Sequence, residues 1–307
     1  MANQTAHGKE ELRWCDACGT LLLGDSCSVC GSEGRQFRIN SPGDIRPCMG
    51  DSVDMALALF REAFGTDAPL RGRAMFLNKI PGEDRADEIV AHGAVVAVTR
   101  YDIRRARMIL ELRQHGAELF APVAQRSVVR FAGMSGHLKG KVVPGTNVTE
   151  VVGTFSEGDP IILLKGGKVG PGVSLCDSGS LRGAERAVKI RDLNAPSGIP
   201  MSPKAGLDTF VACNKGHVRR IQRRAVHEIR RFMDEGNRNH LPVTVSFSGG
   251  KDSLAACALA MEACGSVDLI NIDTGLEFPE TLEYVDRFAR MNGLRLHRAV
   301  GGTGFSD

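Results

Sequence analysis

Two short stretches hold the residue types that could do chemistry. The first is 243–253, VTVSFSGGKDS. Gly249 and Gly250 lack side chains, so an anion can come close to the backbone there. Ser248 and Ser253 add hydroxyl donors and Lys251 adds a cation, a set suited to holding a chain of phosphates. The spacing is not the Walker pattern, which puts four residues between its first glycine and Gly-Lys-Ser/Thr. Here the glycine pair directly precedes Lys251, Asp252 and Ser253. The second stretch is 14–30, WCDACGTLLLGDSCSVC, where Cys15 and Cys18 are separated from Cys27 and Cys30 by eight residues. Four thiolates in two knuckles suit one tetrahedral metal, with Zn²⁺ the usual occupant. A redox dithiol or an iron site is the other chemistry that this pattern supports. With four protein ligands no position stays open for catalysis, so the role is structural. A segment this short has no core, and metal binding would supply its folding free energy.

The elements that must position the first stretch follow from the pattern around it. Residues 243–247 are apolar-biased and read as a buried strand, and 254–264 read as a helix. Strand, tight loop and helix aim backbone N–H groups and a positive helix end at an anion. Residues 267–273 read as a second strand, 274–293 as a turn and helix, and 294–300 as a third strand. Such repetition predicts a parallel sheet, covered on both faces, with right-handed crossovers. Ligands of such sheets bind beyond the carboxyl ends of the strands. The loops after Phe247 and Asp273 therefore make the site, which adds Asp273, Thr274 and Gly275 to the binding residues. Lys251 and Asp252 are the candidate catalytic residues. Asp252 and Asp273 offer the hard oxygens that suit Mg²⁺; Asp252 can equally cap the helix.

Upstream, 51–64 reads as a helix stopped by Gly65, and 73–80 as a strand. Residues 81–93 read as a turn and a short helix, with Glu83, Asp84, Asp87 and Glu88 as a solvated face. A buried strand at 94–99 and a basic amphipathic helix at 104–115, ending at Gly116, complete a small α/β unit. Residues 127–192 change to short β-type runs separated by glycines. The Pro-, Gly- and Ser-rich stretch 194–213 reads as a linker. A helix follows at 214–240 with eight Lys or Arg against three acids. Its stripe of Val218, Ile221, Ala225, Ile229 and Phe232 is expected to pack onto the next domain. Its arginines either attract phosphate or form a solvated face. Cys257 and Cys264, seven apart on one helix, read as core thiols. Cys48, Cys176 and Cys213 have no role legible in the sequence.

Composition sets outer limits. The 307 residues carry a net charge of +3 with 42% hydrophobic content, ordinary for a globular protein and too little charge to imply nucleic-acid binding by itself. No run of eighteen apolar residues occurs, and the polar start lacks the apolar core of a signal peptide. A cytoplasmic protein with no membrane partner is the expectation.

The string SGGKDS resembles the signature of the PP-loop ATP pyrophosphatases, members of the adenine nucleotide alpha-hydrolase group. IDTGLEFPETLEYVDRFA, with Asp273-Thr274 and Phe278-Pro279-Glu280-Thr281, is similar to the corresponding segment of the phosphoadenosine phosphosulfate (PAPS) reductase and sulfate adenylyltransferase small-subunit group. Residues 127–193 resemble a PUA domain, a small RNA-binding pseudo-barrel. That match rests on Pro144-Gly145, Phe155, Gly158-Asp159, the strand 161–165, a turn at 170–172 and Gly183-Ala184 before Val188. Lys139, Lys141, Lys165 and Lys168 support it locally. The order of parts is similar to an archaeal PAPS reductase-like family.

These resemblances imply a multidomain α/β chain: a four-cysteine zinc ribbon at 12–34, a small α/β pre-PUA-like unit at 45–126, a PUA-like pseudo-barrel at 127–193, a linker at 194–213, and a partial PP-loop domain at 214–307. They imply an adenine nucleotide, ATP or PAPS, with Mg²⁺, and an RNA partner, tRNA being the expected class. An intact 248–253 signature favours cleavage of ATP to AMP and pyrophosphate, activating an RNA for sulfur transfer. Reduction of phosphoadenylyl or adenylyl sulfate is the alternative; a non-catalytic zinc-ribbon and PUA RNA-binding protein is the third reading. The family's nucleotide domain has more strands than the three legible here, so a shortened or split form is expected. That form would have a complementing C-terminal half or an electron or sulfur donor protein as partner, and any iron–sulfur cluster would lie in that other part.

Overall fold

The computed structural model describes residues 9–236 and 241–301. It divides into two compact units, 1–215 and 216–307. The mixed α/β, multidomain class expected from the sequence is what it has.

The first unit opens with β1 (Lys9–Cys15), β2 (Thr20–Leu22) and β3 (Arg35–Asn40), an antiparallel sheet in the order β2-β1-β3. Next come β4 (Asp44–Pro47), α1 (Asp51–Phe64), β5 (Phe76–Lys79), β6 (Ala86–Ala91), β7 (Ala94–Asp102), β8 (Arg107–Leu112) and α2 (Gln114–Phe120). These strands form an antiparallel meander, β4-β5-β6-β7-β8. The helix α1 ends at Gly65 as expected, in the left-handed conformation with φ 77°. Phe60 and Phe120 stack at 4.8 Å and join α1 to α2.

Two expected helices in this region are strands instead, because pairing with β7 overrides the local pattern. Residues 86–91 form a strand rather than a helix, because β6 lies inside the sheet and is buried on both faces. Asp87 and Glu88 are therefore not part of a solvated face. Asp87 is held by Arg46 at 2.7 Å and by Arg85 at 3.1 Å. Glu88 accepts from the Asn40 backbone at 3.0 Å and from Asn78 at 2.8 Å. Residues 107–112 are likewise a strand, β8, paired along β7, and not a basic helix. Gly116 does not stop a helix but lies inside α2, where a Cβ would run into the Val96 carbonyl oxygen.

The β-rich segment holds β9 (Val128–Phe131), β10 (Val142–Val143), β11 (Val148–Val152), β12 (Pro160–Lys165), β13 (Lys168–Ser174) and β14 (Val188–Ile190). They form one sheet, β10-β14-β13-β12-β9-β11, with β9 and β12 parallel. Residues 170–172 are not a turn: they lie within β13, and the hairpin turns at Gly166 and Gly167, φ 53° and 76°. Gly172 is small because a Cβ there would sit 2.7 Å from Leu163.

The stretch expected as a linker is irregular through 206 and then enters α3 (Leu207–Gly236). It is anchored rather than slack: Ser202 Oγ accepts from the Trp14 indole at 3.0 Å, and the Ser202 N–H donates to His92 Nδ1 at 2.8 Å.

The second unit has β15 (Thr244–Ser246), α4 (Lys251–Cys264), β16 (Asp268–Asp273), α5 (Pro279–Met291) and β17 (Leu296–Val300). The three strands are parallel in the order β15-β16-β17. Phe247, Leu269, Cys257, Ala260, Val285 and Ala289 make one core between sheet and helices. Cys257 and Cys264 belong to that core, as expected. Among the described residues the other face is not covered: Ile270 and Ile272 are exposed. The α3 stripe departs as well. Val218, Ile221 and Phe232 are exposed, and it is Val226 that is buried, beside polar contacts from Gln222 to Glu262 and from Arg230 to the Ala263 carbonyl. Residues 237–240 and 302–307, at the ends of the expected helix and of the expected final loop, lie outside the described residues.

Candidate functional site

The phosphate-loop candidate forms because β15 must hand over to α4 within a few residues. Phe247 is buried and its N–H donates to the Ile270 carbonyl at 2.7 Å, which fixes the strand end. Gly249 then takes φ +80°, a conformation that residues with a Cβ adopt at a cost. Gly250 is the N-cap of α4, extended at φ −79° and ψ 163°. Ser253 Oγ donates to the Gly250 carbonyl at 2.9 Å and lies 3.2 Å from Ser248 Oγ. The two hydroxyls thus stand together at the start of the helix. By helix geometry the backbone N–H groups of residues 251–253 point out of this end, where the helix dipole favours negative charge.

Lys251 Nζ donates to the Asp252 carboxylate at 3.0 Å, and both side chains are exposed. The helix has no side-chain cap, so Asp252 lies in the first turn and does not take the capping role. Asp273 ends the neighbouring strand at the same edge of the sheet. Its carboxylate accepts from the Gly275 N–H at 2.9 Å, and its carbonyl accepts from Gly301 N–H at 2.7 Å. Thr274 is held by Glu277, N–H at 2.9 Å and hydroxyl at 2.9 Å. These bonds hold the Glu277 carboxyl below its ordinary range, Thr274 contributing most.

The loops after Phe247 and Asp273 therefore open at adjacent strand ends, and Ser248 to Ser253 are gathered around one helix terminus. Asp252 and Asp273 do not join a third acid: among the described residues the four cysteines are the group of three or more ligand-type side chains that converges. A pair of carboxylates fits Mg²⁺ only as part of a set completed by phosphate oxygens and water, its usual donors. Asn271 and Glu277 escaped the sequence reading. Buried Asn271 donates from its side chain to the Phe247 carbonyl at 3.0 Å and ties the two strand ends together. The sequence signal for it is a polar residue at an inward position of an apolar strand.

The four cysteines do converge. All four sulfurs lie within 4.8 Å of one another. Cys15 and Cys30 sulfurs are 3.5 Å apart and Cys18 and Cys27 3.8 Å. A tetrahedral Zn²⁺ with bonds of about 2.3 Å needs sulfurs roughly 3.8 Å apart, so the set fits. The knuckle N–H groups of Cys18 and Val29 point at Cys15 and Cys27 sulfurs, each at 3.4 Å. Burial pushes the Cys15 thiol up and Cys18 up to about 12, whereas hydrogen bonds from Ser32 bring Cys30 down to about 6.

Cys213, from the second turn of α3, is fully buried against this cluster. Its carbonyl accepts from Ser28 N–H at 2.8 Å, and Asn214 bridges the Leu21 carbonyl and Leu23 N–H at 2.9 and 2.6 Å. Helix α3 is thereby fastened to both knuckles, an arrangement that the isolated Cys213 gave no means of reading.

Residues 242–305 match the phosphoadenosine phosphosulfate reductase domain family. This segment is PAPS reductase-like. The chain is 31% identical over 315 residues to the uncharacterized protein MJ0066 of Methanocaldococcus jannaschii, a match covering 97% of this chain and 65% of that one. It is 38% identical over 84 residues to sulfate adenylyltransferase subunit 2 of Mycobacterium sp. (strain KMS), covering 26% of each. The chain thus spans less than two thirds of these relatives' lengths. A hypothetical protein from Pyrococcus horikoshii, PH0734.1, aligns in structure with TM-score 0.35 and 12% identity, over 50% of this chain and 95% of that one. No described helix is long and apolar enough to cross a membrane.

Proposed function

We propose that this chain binds ATP at the 248–253 loop and adenylylates a substrate, as the first step of a sulfur transfer. The observation that carries the reading is the pair of hydroxyls and the glycine pair at the α4 terminus, at the carboxyl end of a parallel strand. The N–H groups and Ser248 and Ser253 hydroxyls hold the β- and γ-phosphates. A substrate oxygen attacks the α-phosphorus, the bond from that phosphorus to the bridging oxygen breaks, and pyrophosphate leaves. Lys251 offsets the charge growing on the pyrophosphate. The loop after Asp273 meets the nucleoside, with Thr274 and Gly275 at its start. Mg²⁺, held through Asp252 and Asp273 together with phosphate oxygens, supplies further charge neutralisation when bound. A sulfur nucleophile then attacks the carbon that bears the activated oxygen, the bond from that carbon to the oxygen breaks, and AMP leaves with the oxygen.

The substrate in this reading is an RNA, tRNA by class, because 127–193 resembles a PUA module and lies in one unit with the cysteine cluster. Lys251→Ala in the complete protein should lower ATP–pyrophosphate exchange by at least a hundredfold; unchanged exchange removes the proposed role. Sulfonucleotide reduction is the second reading, favoured by the family match of 242–305. Release of sulfite from PAPS with a thiol or ferredoxin donor, without exchange of pyrophosphate, would select it. Tight RNA binding with no nucleotide affinity would leave a non-catalytic binding protein.

A further inference from the structure

Helix α3 carries arginines for which the sequence leaves two uses open, and its packing decides which of its sides is free. From Gly216 onward the helix belongs to the second unit and is fastened there along one side. Val226 is buried, Gln222 Nε2 donates to the Glu262 carboxylate, and Arg230 donates to the Glu262 and Ala263 carbonyls at 3.0 and 3.2 Å. A helix turns about 100° per residue, so residues 222, 226 and 230 share one side. Arg219, Arg223, Arg220 and Arg224 then follow around the helix within an arc of about 140°. All four are exposed. The stripe of Val218, Ile221 and Phe232, also exposed, lies nearly opposite the middle of that arc.

The charge on this arc is not balanced from within. Glu228, the nearest acid along the helix, is taken by Arg231 at 2.6 Å. Arg220 donates to His217 Nδ1 at 3.0 Å, which leaves its charge uncompensated. Arg219, Arg223 and Arg224 have no ion pair or side-chain hydrogen bond among the described residues. Arg219 and Arg223 are four apart, as are Arg220 and Arg224, and Arg220 and Arg223 are three apart. Like charges at these spacings are neighbours on a helix surface and repel. A partner that brings negative charge to the arc removes that repulsion.

The form of the arc says what kind of partner that is. The pairs 219–223 and 220–224 each advance about 6 Å along the axis, so the face meets a line of repeated charges better than one small anion. Every cation in it is an arginine, whose planar fork takes two oxygens of one phosphate. A nucleic-acid backbone is a line of phosphates and complements this face in charge. A bilayer fits less well. An interfacial helix buries its apolar side, and here a bilayer that took Val218, Ile221 and Phe232 would leave the arginine arc turned away from its phosphates.

We propose that the exposed arginine face of α3, formed by Arg219, Arg220, Arg223 and Arg224, docks on the phosphate backbone of RNA. The choice of RNA rests on the RNA-substrate reading above; the exposure and unbalanced charge of the face do not. Phosphate contacts position a strand without reading its sequence, so this face holds the substrate and leaves its selection to other parts of the protein.

The test follows binding of an unmodified tRNA transcript to the complete protein by fluorescence anisotropy, as salt rises from about 50 to 200 mM. Each phosphate contact adds about 0.7–0.9 to the slope of log K against log salt. The fourfold variant Arg219→Gln, Arg220→Gln, Arg223→Gln, Arg224→Gln keeps a similar helix propensity, and it should lower that slope by roughly 3 and weaken binding at least tenfold. Arg223→Gln with Arg224→Gln alone should remove about half of the slope change, should the fourfold variant fail to fold. Lysine at all four positions keeps the charge and should keep most of the slope. A parent that binds tRNA with a slope unchanged in the glutamine variants overturns the inference and leaves the RNA-substrate reading standing; a parent that does not bind tRNA removes both. Equal loss in the lysine and glutamine variants also overturns it, because charge is then not the cause. Phosphatidylserine vesicles are the control: vesicle binding that the glutamine variants lose while tRNA binding stays overturns the inference in favour of a bilayer.

Discussion

Alanine at each of two adjacent glycines should separate what the PP-loop needs for folding from what it needs for its ligand. At Gly249 the φ of +80° places a Cβ-bearing residue in the left-handed region, at a cost of roughly 1–2 kcal/mol. The new methyl would also lie 3.1 Å from Val285 Cγ2 and 3.3 Å from a Tyr284 ring carbon, both on α5 in the core beneath. Loss of glycine's freedom in the unfolded chain returns about 0.4–1 kcal/mol. Gly249→Ala should therefore destabilise the second unit by about 1 kcal/mol or somewhat more. At Gly250 the φ is −79° and the nearest atom to a Cβ is Ser248 Oγ at 3.5 Å, an ordinary contact. Alanine is a poorer N-cap than glycine, but the unfolded-chain gain of about 0.4–1 kcal/mol offsets that cost, so Gly250→Ala should leave stability nearly unchanged. For a unit spanning 216–307, about 1 kcal/mol shifts the midpoint by roughly 4–8 °C. Thermal melting, with hydrogen exchange of the α4 amides as the local readout, reports both changes. ATP titration then completes the comparison: a methyl at Gly250 stands where a phosphate should approach, so binding drops while stability does not. If Gly250→Ala is the less stable protein, or if it binds ATP as the parent does, the loop does not hold phosphate through its glycine backbone.

Two further outcomes follow from the first unit. Purified protein should carry one Zn²⁺ per chain by elemental analysis, and a chelator should change the emission of Trp14, the sole tryptophan, which is fully buried beside Cys15. The apparent metal affinity should rise with pH through neutrality, because burial raises the Cys15 and Cys18 thiols, which must lose their protons to bind; a pH-independent affinity would contradict the site. Burial also lowers His92, to about 4, while Ser202 N–H donates to its Nδ1. The unfolded chain binds the proton first, so stability is full above a pH of about 6.5 and falls as the pH drops toward 4, by an amount on the order of 3 kcal/mol. Urea denaturation across that window checks it, and His92→Asn, which suits the φ of 55° at that position, should flatten the slope.

The second unit was legible because each of its elements announces itself locally. The apolar run before Ser248, the glycine pair and the helix periodicity after Ser253 are consecutive in the chain, and the parallel order β15-β16-β17 needs nothing but right-handed crossovers. The cysteine knuckles were legible for the same reason: ligand spacing is a local property, and the sulfurs converge as it demands. The meander was not. In β6 the sequence ADEIVA carries two acids, and a pattern of charge next to apolar residues reads as an exposed helix face. Burial of Asp87 and Glu88 is tolerable because Arg46 arrives from β4 and Asn40 from β3 to join Arg85 and Asn78, and neither Arg46 nor Asn40 is adjacent in the sequence. Ahead of β8 the turn with Ala106 at φ 49° reverses the chain near the start of what periodicity reads as one helix.

The same distinction decides which site residues could be found. Ser248, Lys251 and Asp273 are chemical groups in a recognisable local frame. Cys213, Asn271 and His115 matter through what the fold brings to them. Cys213 is an ordinary thiol on a basic helix until α3 carries it against the knuckles, where Ser28 N–H finds its carbonyl at 2.8 Å. Asn271 breaks the apolar pattern of β16 and holds the Phe247 carbonyl, one residue before the 248–253 loop starts. His115 reads as the end of a helix, yet it lies buried in the first turn of α2 with its Nδ1 3.4 Å from the Glu118 carboxylate. A polar side chain buried without a partner cannot be seen in a sequence. In a folded chain its cost is set by neighbours that lie far away in the sequence.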